Sequence, residues 1–133
     1  MSAAAASSFE STIAPWLAVE DAERAVRFFE AAFGATLTYR LAGDDGRLAV
    51  ARLSIGGAAF WVQDDPDGVP GSRGSGSVRI ILSVEDPDAV FERAVAAGAR
   101  SVANVSEGHG WRTGRITDPS GHEWEISRQL TPA

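Results

Sequence analysis

The sequence contains no cysteine, and although it carries twelve basic residues, none is lysine. Without cysteine there is no thiol nucleophile, no disulfide and no thiolate metal site. Without lysine there is no Schiff-base chemistry and no side-chain amine nucleophile. Long apolar runs are missing as well: Met1 to Ser11 is small and polar, with neither the basic start of a secretory signal nor the length of a membrane span. We expect residues 1–11 to be a disordered tail and the protein to be cytoplasmic. Positive charge is scarce overall, 12 basic against 18 acidic residues for a formal net charge of −6. Phosphate backbones are bound by clustered cations, so this balance argues against a nucleic-acid partner and suits a cationic or zwitterionic small ligand better.

What is present is an ordinary globular composition, 44% hydrophobic and 23% charged over 133 residues, enough for one core and too little for two. The chain echoes itself: Val19-Glu20-Asp21 opens a segment ending Phe33-Gly34-Ala35, and Val84-Glu85-Asp86 opens one ending Ala97-Gly98-Ala99. In the first copy Ile13 to Val19 reads as a strand and Asp21 as a helix cap. Ala25, Phe28, Phe29, Ala32 and Phe33 recur at helical spacing, and Gly34 ends the helix. Strands follow over Thr36 to Leu41, Arg47 to Ile55 and Ala58 to Gln63, divided by Gly43-Asp44-Asp45-Gly46 and Gly56-Gly57.

In the second copy Val78 to Val84 reads as a strand, Asp86-Pro87 starts a helix with the apolar stripe Val90, Phe91, Ala94 and Val95, and Gly98 closes it. Strands over Arg100 to Val105, Trp111 to Thr117 and His122 to Ser127 complete the same order, with Asp118-Pro119-Ser120-Gly121 as a turn. The pattern predicts an α+β domain over residues 12–129: βαβββ modules at 12–64 and 78–129, a Gly/Pro/Ser-rich linker at 65–77, and a curved mixed sheet around a ligand cleft. Open sheet edges and apolar surface of this kind are covered by pairing, which predicts a homodimer.

Two stretches carry a resemblance: Asp21-Ala22-Glu23-Arg24-Ala25-Val26-Arg27-Phe28-Phe29 through Phe33-Gly34-Ala35, and Gly114-Arg115-Ile116-Thr117-Asp118-Pro119-Ser120-Gly121-His122-Glu123-Trp124-Glu125. In this order and spacing the chain resembles the vicinal oxygen chelate superfamily, which includes glyoxalase I, extradiol dioxygenases, fosfomycin-resistance enzymes and bleomycin-binding resistance proteins. The resemblance implies metal ligands on the first and last strands of each module, with His frequent on the first. Here Ala14 and Arg79 stand at those first-strand positions, the last strand of module one offers Ala59 to Gln63, and Glu125 alone matches. One carboxylate beside an arginine is a poor cation site, so we expect no metal and no cofactor. His109, in a Gly-flanked loop, and His122, in the turn, read as turn residues.

If Glu125 faces the cleft as the resemblance implies, alternation puts Glu123 and Ser127 beside it and turns Trp124 and Ile126 to the core. The same rule sends Ala14, Trp16 and Ala18 inward with Ile13, Pro15, Leu17 and Val19 on the core side. It likewise sends Ala59, Trp61 and Gln63, and Arg79, Ile81 and Ser83, inward. The candidate ligand-binding set is therefore Trp16, Trp61, Gln63, Arg79, Arg112 and Glu125, an apolar aromatic box with a few polar anchors. For the indoles the plain alternative is core packing; for Arg79 and Glu125 it is an ion pair. The leading functional expectation is a metal-free small-molecule-binding protein that holds a planar or aromatic ligand, as the bleomycin-resistance branch sequesters its antibiotic. A cationic ligand would gain cation–π contact with the indoles. The rivals are a lyase, isomerase or dioxygenase with a non-standard metal site or with Glu125 as general base, and a regulatory module that acts through an interface.

Overall fold

The computed structural model describes residues 9–67 and 78–131; most of the expected tail and linker, residues 1–8 and 68–77, lies outside them. Module one runs β1 (Trp16–Val19), α1 (Ala22–Phe33), β2 (Thr36–Ala42), β3 (Leu48–Ile55) and β4 (Ala58–Asp64). Module two runs β5 (Ile80–Ser83), α2 (Pro87–Ala96), β6 (Arg100–Gly108), β7 (Trp111–Thr117) and β8 (Glu123–Gln129). The class is α+β and the order βαβββ repeats, as the punctuation of the sequence implies.

Each helix begins where a carboxylate can take up free backbone donors. Asp21 accepts the Arg24 N–H at 3.2 Å and Asp64 Oδ1 the Ala22 N–H at 2.7 Å, while Asp86 accepts the Ala89 N–H at 3.2 Å. Gly34, at φ 66°, stops α1 in the left-handed conformation and lets its N–H return to Glu30 O.

The strands form two four-stranded sheets, β1-β4-β3-β2 and β5-β8-β7-β6. In each, the first strand lies parallel to the last and the other pairs are antiparallel. Two first strands are shorter than the alternation suggests. β1 starts at Trp16, leaving Ile13 fully exposed instead of on the core side, and β5 starts at Ile80. β1 pairs over Trp61 to Asp64 only, although β4 reaches back to Ala58, and the residue before it, Pro15, has no N–H to carry the ladder further. β6 by contrast runs on to Gly108, because β7 pairs with it up to the His109-Gly110 turn.

Both helices lie on one side of the sheets and against each other, α1 on β3 and β4, α2 on β6, β7 and β8. The α2 contact is close: a Cβ on Gly114 of β7 would stand 2.8 Å from ring carbon Cδ2 of Phe91 and 2.8 Å from a Val105 methyl. The core is shared between the modules. Trp124, 2% exposed, lies with its ring centroid 5.4 Å from Phe29, 4.9 Å from Phe33 and 5.6 Å from Phe60. Further ties join the halves: Arg93 donates to Ala31 O in the last turn of α1 at 3.4 Å, where a cation suits the helix dipole. His122 Nε2 donates to Ala18 O of β1 at 2.8 Å. Among the described residues no helix is long and apolar enough to cross a membrane.

Candidate functional site

Along β1 and β4 the helix side takes Leu17, Val19, Phe60 and Val62, all buried, so the alternate residues emerge on the opposite, helix-free face. There the register aligns one residue from each strand of the first sheet, Tyr39 beside Arg52, Arg52 beside Trp61 and Trp61 beside Trp16. The indoles of Trp16 and Trp61 stack with centroids 5.7 Å apart and planes 24° from parallel. Tyr39 meets Trp61 edge-on at 5.9 Å, and the Arg52 guanidinium carbon lies 5.9 Å from the centroid of the Trp61 ring. Trp16 Nε1 donates to Gln63 Oε1 at 2.8 Å. Trp16 keeps 53% of its surface exposed, Tyr39 46% and Leu41, two residues along, 47%. Trp16 and Tyr39 are thus open to solvent, whereas Trp124, which serves the core, is covered.

The same face of the second sheet is mostly polar, with Ile81 beside Glu125 as an exposed apolar exception. Arg79 Nη2 reaches Glu125 Oε1 at 3.1 Å, and Arg115, which β7 places beside Glu125, pairs with Glu123 at 3.3 Å. Thr113 and Ser127 share a hydrogen bond of 2.8 Å. Thus Trp16, Trp61 and Gln63 come together on one sheet and Arg79 and Glu125 on the other, and among the described residues no hydrogen bond, ion pair or ring contact joins the two groups.

Arg112 joins neither. It has the parity of Gly114 and Ile116, which are buried under α2, and it grips both oxygens of Asp88 at the start of that helix, at 2.6 and 2.7 Å, with Glu107 at 3.3 Å. The hydrogen bond from Arg112 holds the Asp88 carboxyl below its usual range, and Asp88 in turn raises the guanidinium further. The expected place for Arg112 in the cleft is corrected to a surface ion pair on the helix side. Sequence reasoning passed over Tyr39 and Arg52, although the Gly56-Gly57 turn fixes the partner of Arg52: stepping back from Ile55 while stepping forward from Ala58 reaches Trp61.

A recess of about 670 Å³ opens on the helix side instead, lined by Arg24, Arg27, Phe28, Gly98 and Pro119 among others, and none of the six expected site residues lines it. Its arginines face Glu20, Asp21 and Asp118, a mixed and largely self-compensating lining.

The residues do not fit the superfamily's metal. Among the described residues no three of His, Cys, Asp and Glu converge, and the one matching carboxylate, Glu125, is occupied by Arg79. The positions related to it on the other sheet hold indoles and an amide whose oxygen is taken by Trp16. His109 sits at a hairpin turn with φ 54°, and His122 is spent on the Ala18 carbonyl.

Comparison with known proteins agrees with the fold. Residues 15–127 match the family described as glyoxalase-like domain. An uncharacterised protein of Mycobacterium bovis is 37% identical over 130 residues, spanning 91% of this chain and 85% of that protein. The crystal structure of TioX from Micromonospora sp. ML1 superposes with a TM-score of 0.73 at 32% identity, covering 91% of this chain and all of that one. Fosfomycin resistance protein FosX from Mesorhizobium loti, at 20% identity and a TM-score of 0.67 over 90% of this chain and 92% of its own, shares the fold.

Proposed function

The chain belongs to the glyoxalase-like domain family, and from that premise we propose that it binds a flat, aromatic small molecule against the helix-free face of its first sheet, without a metal. One observation carries the reading: the stacked pair of exposed Trp16 and partly buried Trp61, fixed at its edge by Gln63 and extended by Tyr39. Such a row offers a ready π-surface that needs little ordering on binding, since neighbouring strands and the Gln63 amide already hold the rings. Sequestration in the manner of the bleomycin-resistance branch needs nothing more. The enzymatic alternative, with Glu125 as general base, has less support because Arg79 occupies its carboxylate. The fosfomycin resistance of the Mesorhizobium neighbour, at 20% identity, bears on the fold alone. A cytoplasmic location belongs to the same reading.

Titration with naphthamide, a neutral flat probe, should quench tryptophan fluorescence, unchanged by a chelator. Trp61→Ala should weaken binding roughly tenfold, the scale of one lost aromatic stack with its buried area. A probe affinity indifferent to Trp16 and Trp61 alike would put the site elsewhere.

The open face also bears on assembly. Beside the platform, Leu41 at 47% exposure and, on the second sheet, Ile81 at 62% leave apolar surface that a second chain would cover. We place the protein as a homodimer: sedimentation at micromolar concentration should give twice the chain mass, and a monomer there would count against it.

A further inference from the structure

We infer that Arg52 is a specificity-determining residue of this face and that the ligand is an aromatic anion, a flat ring bearing a carboxylate. The inference rests on the aromatic-platform reading and adds the sign of the charge. Across the four paired strands of the first sheet, the register puts one charged side chain on the helix-free face, that of Arg52. It stands in the middle of the aromatic row, between Tyr39 and Trp61.

Among the described residues Arg52 has no carboxylate partner. Among the described residues its guanidinium makes one hydrogen bond, a long one of 3.5 Å from Nη1 to Thr38 Oγ1, whereas Arg40, Arg47, Arg79, Arg112 and Arg115 pair with acids. A planar fork of donors lying over an indole, with most of its N–H groups unspent, matches the two oxygens of a carboxylate. The next position along the face adds to this. With Oε1 of Gln63 accepting from Trp16, its amide nitrogen has no partner among the described residues, so the face offers donors at one end of the indole pair, from Arg52, and along its edge, from Gln63. A ring stacked on the indoles puts a substituent within reach of Arg52, because adjacent strands lie about 4.8 Å apart.

This reverses what net charge suggests. The formal charge of −6 favours a cation at long range, yet salt screens exposed charges beyond about 8–10 Å, and at contact distance the ligand meets Arg52.

Calorimetric titration with naphthoate, naphthamide and naphthylmethylammonium tests it. Naphthoate should bind about tenfold more tightly than either of the others. Arg52→Gln should bring naphthoate to within about twofold of naphthamide measured on the same variant, and Arg52→Lys should keep part of the preference as a point charge without the fork. Arg27→Gln, which removes the same charge from α1, should change nothing. Tightest binding of the cation, equal binding of all three probes, or a naphthoate preference that survives Arg52→Gln would overturn the inference while leaving the aromatic platform standing. No binding of any probe would overturn both.

Discussion

Replacing Trp124 with alanine should cost about 3–5 kcal/mol of stability, the largest loss expected from any single side chain here, while Trp61→Ala should leave the protein folded. The indole of Trp124 is 2% exposed and touches Phe29, Phe33 and Phe60, so its removal opens a void that three rings on two elements of the other module cannot close together. It also strips a hydrogen bond from a buried acid, since Trp124 Nε1 donates to Asp118 Oδ2 at 2.9 Å. Urea unfolding reads the difference directly. A loss under about 1 kcal/mol would mean that the modules are not joined by this ring.

Asp118→Ala should be the second costliest change, roughly 2–5 kcal/mol at neutral pH, because it orphans three N–H donors at once. Oδ1 accepts from the backbone of Ser120 at 2.9 Å and of His122 at 3.0 Å, and Oδ2 from Trp124. These bonds shape the Asp118-Pro119-Ser120-Gly121 turn, where Gly121 takes φ 102°. Burial pushes the Asp118 carboxyl above its ordinary value of 3.8, against the opposing pull of the Trp124 hydrogen bond, the His122 N–H, the His122 charge and the Ser120 N–H. The folded protein then holds this proton more tightly than the unfolded chain. The group's contribution to stability is therefore greatest below 3.8 and is lost as pH rises through the folded value. The stability gap between wild type and Asp118→Ala should widen as pH falls from neutral towards 4, measured by urea midpoints; a narrowing gap would give the shift the opposite sign.

Because Asp118 and Trp124 share a bond, the two losses should not add. Their double mutant should fall short of the sum.

The elements were legible because their ends are chemical. Asp21 and Asp86 with Pro87 start helices, Gly34 and Gly98 end them, and paired glycines mark hairpins, all signals carried within a few residues. The starts of β1 and β5 were not legible from alternation, since pairing sets them: β1 begins at Trp16 although β4 runs back to Ala58, and β5 begins close to the first residue of β8. The same division runs through the site. Alternation on β4 and β8 sorts Trp61 and Gln63 from Phe60 and Val62, and Glu125 from Trp124. It also separates Arg112 from that set once Ile116 is placed in the core. Tyr39 was hidden by a register shift between Leu37 and Tyr39, which counting along the strand cannot see.

The meeting of Phe60 and Trp124 has a consequence for the history of the chain. Leu17 pairs with Val62 and Leu82 with Ile126, so Phe60 and Trp124 occupy the same position in the two repeats, and they touch each other with planes 76° apart. A single ancestral module paired with itself would have had to place one residue against its own copy at that point. Two phenyl rings would underfill the space that one phenyl and one indole now fill, and two indoles would overfill it. Joining the copies in one chain released that position from self-complementarity. With a small ring in one repeat and a large one in the other, each half fits the other at this point better than it would fit its own copy.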